Sequence, residues 1–305
     1  MQTILGSTGS IGKLLAKELI KFTEDIQLVS RNPVKINSTD RLLKADLLDK
    51  SSADNAVKGS DVVYLVTGLK YDINVWQRDW PILMNNVIEA CKKHNSKLVF
   101  FDNIYMIDPA HISHITEESP INPSSKKGEV RAKLDNMILD EIKNGNLNAI
   151  IARAADFYGP TNENLSVLNS VVYERLKSGK SAQWFINPNF KHSFTFTPDA
   201  AKAMAILGNS DKAFNQIWNL PTDRNILSGN EWVEKFAEKT GAKPKIQVAG
   251  KFLMKIMSLF VPPIKEFIEL SYQWENDYFL DSSKFEREFK FKTTSYQEGI
   301  NSYFK

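Results

Sequence analysis

Cysteine is nearly absent: Cys91 stands alone in 305 residues, so no internal disulfide can form. Only four histidines accompany it, and no Cys/His group has the spacing of a zinc site, so no metal is expected. Excess charge is missing as well. The 39 basic residues face 36 acidic ones, and a net +3 gives no long-range field that would argue for nucleic acid or an anionic membrane. A spanning run is also lacking: FLMKIMSLFVPPI (252–264) is broken by Lys255, Pro262 and Pro263 and falls short of the roughly 20 residues a transmembrane helix needs. It reads as a helix of a smaller lobe, ending at its prolines. The opening MQTILGSTGS shows no basic region, apolar stretch and cleavage site of the secretory kind. The expectation is a reducing cytoplasm and a small-molecule partner, with no nucleic acid and no membrane.

What is present is alternation. QTIL precedes the helical IGKLLAKELIKF, then come IQLVS, LLKAD, a short helix near SSADNAVKG, and DVVYLV. Helical stretches at 74–94 and 124–143 precede KLVFFD and NAIIAR. Short β-rich runs separated by helices require crossover connections and hence parallel strands. The fold class expected is α/β: a Rossmann-type doubly wound parallel sheet with a smaller, mostly helical C-terminal substrate lobe. Residues 1–155 would form the dinucleotide-binding domain, with a strand and helix returning to it at about 192–225. Residues 156–191 and 226–305 would form the lobe.

LGSTGSIG sets glycines at 6, 9 and 12, after a strand and before a helix. Gly6 suits a tight turn, Gly9 a close backbone approach to a pyrophosphate, and Gly12 helix-on-sheet packing, while the helix start attracts the anion. Gly6, Ser7, Thr8, Gly9, Ser10, Ile11 and Gly12 are therefore the expected phosphate loop. An acid that would bond a ribose 2′-hydroxyl is missing from the end of the second strand, where Ser30 and Arg31 stand. A forked guanidinium there suits a 2′-phosphate, so NADP(H) is preferred to NAD(H); the alternative is that Arg31 is a solvated loop residue. Asp46 and Leu47 end the next strand near an adenine site. Thr67 and Gly68 end the fourth, beside the cofactor's path.

These segments, with KLVFFDNIYMID, TEESPINPSS, IIARAADFYGP and FTFTPDAAKA, resemble the extended short-chain dehydrogenase/reductase family of nucleotide-sugar epimerases, dehydratases and reductases. The resemblance implies a Ser or Thr after the fifth strand and a Tyr-x-x-x-Lys on the next long helix, with the Tyr exchanging a proton and the Lys holding the nicotinamide ribose. At those places stand Asn103, Lys127 and Arg131. Asn103 can still hydrogen-bond a substrate oxygen, and Arg131 can donate to ribose hydroxyls but cannot deprotonate. Lys127 is either an acid/base with a lowered pKa or an exposed helix-start residue. Tyr105 either supplies a phenol or packs. Ala154 and Asp156 lie on the turn expected to pass the nicotinamide, and His192 is a further binding candidate. The resemblance therefore leaves two readings: an oxidoreductase or epimerase with a non-standard active site, acting on a nucleotide-sugar-like or small carbonyl substrate, or a non-catalytic dinucleotide-binding regulator. A homodimer through the two long helices follows by the same analogy.

Overall fold

A computed structural model describes residues 1–160 and 166–304, so residues 161–165 of the expected lobe lie outside the described residues. From the amino end the chain forms β1 (Gln2–Leu5), α1 (Ser10–Leu19), β2 (Ile26–Ser30), β3 (Arg41–Lys44), α2 (Lys50–Val57), β4 (Val62–Leu65), α3 (Ile73–His94), β5 (Lys97–Asp102), α4 (Lys126–Lys143) and β6 (Ala149–Arg153). There follow β7 (Asp156–Tyr158), α5 (Glu174–Lys177), β8 (Ala182–Phe185), β9 (Lys191–His192), β10 (Phe194–Phe196), α6 (Thr197–Gly208) and β11 (Gln216–Asn219). The remainder holds β12 (Leu227–Ser228), α7 (Gly229–Thr240), β13 (Ile246–Ala249), α8 (Lys251–Met257), α9 (Pro262–Phe267), α10 (Ser283–Phe289) and α11 (Tyr296–Asn301).

Two compact units result. The first comprises Met1–Asn103, Glu129–Arg153 and Ala200–Trp218. Its sheet has the order β11-β6-β5-β4-β1-β2-β3, and every pairing from β6 to β3 is parallel. VVYL of β4 and AIIAR of β6 are buried at every position, the pattern of strands covered on both faces. Side-chain caps mark the helix starts: Asp49 accepts from the Ser52 N–H at α2, and Asp72 from Asn74 and Val75 at α3. From β1 the chain builds first toward β3, then reverses toward β6. That reversal parts the crossovers at the carboxyl ends of β1 and β4, where doubly wound sheets bind ligands.

The second unit comprises Ile104–Gly128, Ala154–Asp199 and Asn219–Lys305. Helices predominate, with three two-stranded sheets among the described residues: β10 with β7, β12 with β9, and β13 with β8. Its core is aromatic, with Tyr158, Trp184, Phe194, Trp232, Phe236, Trp274 and Tyr296 all buried. Gly229 permits this packing, since a Cβ there would lie 2.3 Å from the Trp184 ring. α7 begins on a capping box of Ser228 and Glu231 and ends at Gly241 in the left-handed region, as its sequence SGNEWVEKFAEKTG suggests.

Boundaries differ from those expected in two respects. Residues 104–128 group with the second unit, and the return to the first is 200–218. The strands at the start of the expected return, β9 and β10, pair within the second unit, whereas the strand that joins the main sheet is β11. QIWN has only two apolar residues and follows Asn215 at φ 61°, too short a pattern to show a strand. No helix among the described residues is long and apolar enough to cross a membrane.

Candidate functional site

In the first unit the glycine loop has the geometry its spacing suggests. Gly6 has φ +94°, and a Cβ on it would lie 2.6 Å from the Thr67 backbone. A Cβ on Gly12 would lie 2.6 Å from the Gly6 carbonyl, whereas at Gly9 the nearest atom is 3.4 Å away. Gly6 and Gly12 thus serve internal close packing, and Gly9 keeps an open backbone face. The Gly6 and Ser7 amides donate to the Val29 carbonyl, as does the Ser7 hydroxyl at 3.2 Å, so the loop is pinned to the end of β2. Gly9 is the N-cap of α1, with no side-chain cap and no acid in the first turn. The first turn therefore brings no carboxylate of its own to the positive end of the helix, and Thr8 and Ser10 beside it are partly exposed while Ile11 packs inward.

The neighbouring strand ends complete the half-site. Ser30 carries a buried hydroxyl without a partner, and Arg31 is exposed with no ion pair among the described residues. Asp46 is exposed; one of its oxygens accepts the Leu48 N–H at 3.1 Å. Asn86 of α3, which sequence reasoning missed, fixes this turn by donating to the Leu47 and Leu48 carbonyls at 3.0 Å each. Thr67 has a buried, unpartnered hydroxyl, and nothing lies within 4 Å of a Cβ built on Gly68. An uncapped helix start, two orphaned hydroxyls and space at Gly68 are donors and room that fit a dinucleotide.

The end of β5 is organised by charge. Asp102 closes β5, and its register partner Arg153 closes β6. On α4, Arg131 and Asp135 are one turn apart. Arg131 directs Nε and Nη2 onto one oxygen of Asp102, and Arg153 Nη2 meets Asp135 at 2.6 Å, with all four side chains buried. The Arg131 guanidinium also lies 4.7 Å from the Trp80 ring and 5.0 Å from Phe100. Full burial raises the Asp102 pKa well above the usual carboxylate range. Arg131 opposes that shift, and the charge and hydrogen bond of Asp135 reinforce it. Arg131, expected at a ribose, is therefore engaged by Asp102. Asn103 follows directly, partly exposed, its N–H donating to Asp102 at 2.6 Å.

In the second unit, Lys127 is fully buried rather than exposed. Its ammonium donates to the Glu266 carboxylate at 2.5 Å, the Glu266 carbonyl at 2.9 Å and the Glu269 carboxylate at 2.9 Å. The other Glu269 oxygen accepts the Lys126 N–H at 2.8 Å, and the Ser125 hydroxyl accepts the Gly128 N–H. The start of α4 is thus capped from within. Gly128 lets the Tyr105 carbonyl approach, since a Cβ there would lie 2.3 Å from it, and Tyr105 is partly exposed. Glu266 and Glu269 escaped sequence reasoning; their only signal is an i, i+3 pair of acids in KEFIEL.

Also in this unit, His192 bonds Asp156 at 2.9 Å and stacks between Trp274 and Tyr278, at 4.2 and 4.3 Å. Its Nδ1 is buried without a partner, while the Asp156 side chain is 17% exposed and so reaches solvent. Ala154 is wholly buried, and Trp184 belongs to the aromatic core. Among the described residues no group of His, Cys, Asp and Glu could hold a metal.

A parallel run ordered 3-2-1-4-5-6, with a glycine turn after its first strand, defines a dinucleotide-binding α/β fold. Residues 3–220 match the NAD dependent epimerase/dehydratase family, and the chain belongs to that family. A dTDP-glucose 4,6-dehydratase of Mycobacterium tuberculosis is 26% identical over 129 residues, a match that spans 39% of this chain and 39% of that relative. Among solved structures, UDP-glucose 4-epimerase of Thermus thermophilus in complex with NAD superposes with TM-score 0.78 at 17% identity, covering 99% of each chain. UDP-glucose 4-epimerase of Thermotoga maritima with UDP-glucose gives 0.78 at 16%, over 100% of this chain and 98% of that one. A double mutant of the Streptomyces venezuelae dTDP-glucose 4,6-dehydratase with NAD bound gives 0.78 at 14%, over 99% and 96%.

Proposed function

We propose that this chain binds a nicotinamide dinucleotide at the loop between β1 and α1, NADP(H) in preference to NAD(H), and reduces or epimerises a nucleotide-sugar-like or small carbonyl substrate. The uncapped start of α1 behind Gly9 is the observation that carries this reading. Backbone of residues 6–12 would hold the pyrophosphate, Ser30 and Arg31 the adenosine ribose with its 2′-phosphate, and Asp46 and Leu47 the adenine. Thr67 and Gly68 would border the rest. Once bound, the nicotinamide ring supplies or accepts hydride. Family members named for UDP-glucose and dTDP-glucose support the substrate class.

Proton exchange is assigned away from the two helix positions. The Lys127 ammonium is spent on three acceptors, and Arg131 holds Asp102 and cannot deprotonate. Asn103 and Tyr105 are the residues left to meet a substrate oxygen. The test is dinucleotide titration followed by NADPH consumption and interconversion across a nucleotide-sugar panel. Binding with turnover supports the proposal. The same ion pairing favours a second reading, a non-catalytic dinucleotide-binding regulator, and binding without any turnover selects it. Failure to bind either dinucleotide removes both readings. A homodimer through α3 and α4, read out by light scattering, and a cytoplasmic setting complete the proposal.

A further inference from the structure

The stretch 250–265 runs directly into Glu266, one of the two acids that hold Lys127. Short as it is, α8 is two-faced: Met254 is 1% exposed and anchors it, while Phe252, Leu253 and Ile256 point the other way at 79%, 48% and 43% exposure. The following turn adds Leu259, Phe260 and Val261, the first two nearly four-fifths exposed. These six are nearly half of the 13 large apolar side chains exposed among the described residues, gathered within ten positions. Scattered single apolar residues need no explanation, but a contiguous group does. The charge around the group has one sign. Gly250 to Lys265 contains Lys251, Lys255 and Lys265 and no acid. Glu275 pairs with Lys251, and the carboxylates that follow, Glu266 and Glu269, are already committed to Lys127. Lys255 and Lys265 are therefore exposed, with no ion pair among the described residues, beside the apolar group.

We infer that this patch docks on an anionic lipid surface. Phe252, Leu259 and Phe260 would enter the headgroup boundary, while Lys255 and Lys265 meet lipid phosphates. A short helix with aromatic and aliphatic tips on one side and lysines at its flank has the composition of an interfacial segment. Near-neutral overall charge gave no reason to expect this, because the complementarity is local. The inference rests on neither the cofactor nor the reaction.

The test is flotation of the full chain with phosphatidylglycerol/phosphatidylcholine vesicles and with phosphatidylcholine alone. Anionic vesicles should recover about tenfold more protein, with recovery falling as salt rises. Phe252→Ser with Phe260→Ser should lower recovery about tenfold or more, and Lys255→Glu about fivefold or more, with thermal midpoint and dinucleotide titration unchanged because these side chains are exposed. Equal flotation with and without vesicles, or no loss in the double variant, overturns the inference. So does a concentration-dependent oligomer that the double variant abolishes in the absence of vesicle binding, since a second copy would then be the occupant.

Discussion

Two helices of this chain begin in opposite ways. α1 starts at Gly9 with no side-chain cap, while the loop before it is tied down by Val29. α4 starts with its amides met by Glu269 and Ser125, and with a buried lysine held by two glutamates. Every helix start has unpaired amides and a positive end. The first has neither an N-cap side chain nor an acid in its first turn, and the second is answered by side chains of the protein. The comparison teaches that a helix start suits an anion where neither its N-cap nor its first turn brings an acceptor. The resemblance places a cofactor at one start and a catalytic tyrosine at the other; the glycine turn stands at the first, and a paired Lys127 stands in the tyrosine's place at the second.

The sharpest way to break the comparison is to empty the second start. Lys127→Met leaves Glu266 and Glu269 largely buried without their cation, and should cost about 3–5 kcal/mol in a urea titration. Adding Glu266→Gln and Glu269→Gln should recover much of that loss; no loss in the single variant would show the cage to be idle. Filling the first start is the converse. Gly9→Val puts a side chain where the pyrophosphate should approach and should weaken dinucleotide binding about a hundredfold, with little change in thermal midpoint. Gly12→Val should lower both, because its Cβ meets the Gly6 carbonyl.

Smaller effects sharpen the picture. Arg31→Ala should reduce NADP affinity about tenfold and leave NAD affinity as it was, since only the 2′-phosphate gains a charge-assisted contact. Equal losses for both would return Arg31 to the solvent. The smallest expected signal is a slope. Folded Asp102 keeps its proton to higher pH than the unfolded chain does, so its contribution to stability is full at low pH and declines as pH rises above the ordinary aspartate value toward the raised one. Asp102→Asn removes that decline, at most about 1.4 kcal/mol per pH unit, in urea midpoints taken across that window. Unchanged slopes would mean that Asp102 is ionised throughout.

The sheet and the glycine loop were legible because their signals are local: strand runs, glycine spacing and helix periodicity lie within a dozen residues of one another. β11 escaped because QIWN is too short to show a period. The charge cluster at β5 and β6 was half visible, since an aspartate and an arginine each close an apolar strand, but their pairing needs the register of two strands and one turn of α4. The Lys127 cage was invisible. Its partners lie 139 and 142 residues away, and whether a lysine is a titrating base or one member of an ion pair depends on which carboxylates the fold brings to it. Cofactor loops declare themselves in sequence because backbone builds them, whereas proton relays depend on side chains brought in from afar.

The central claim is that the start of α1 retains its ligand. Titration of the purified chain with NADP and NAD, alongside Gly9→Val, tests it most directly. The account requires saturable binding to one site in the wild type, tighter for NADP, and its loss in a variant that unfolds at the same temperature. A wild type that binds neither dinucleotide, or a Gly9→Val chain that binds as well, would contradict it.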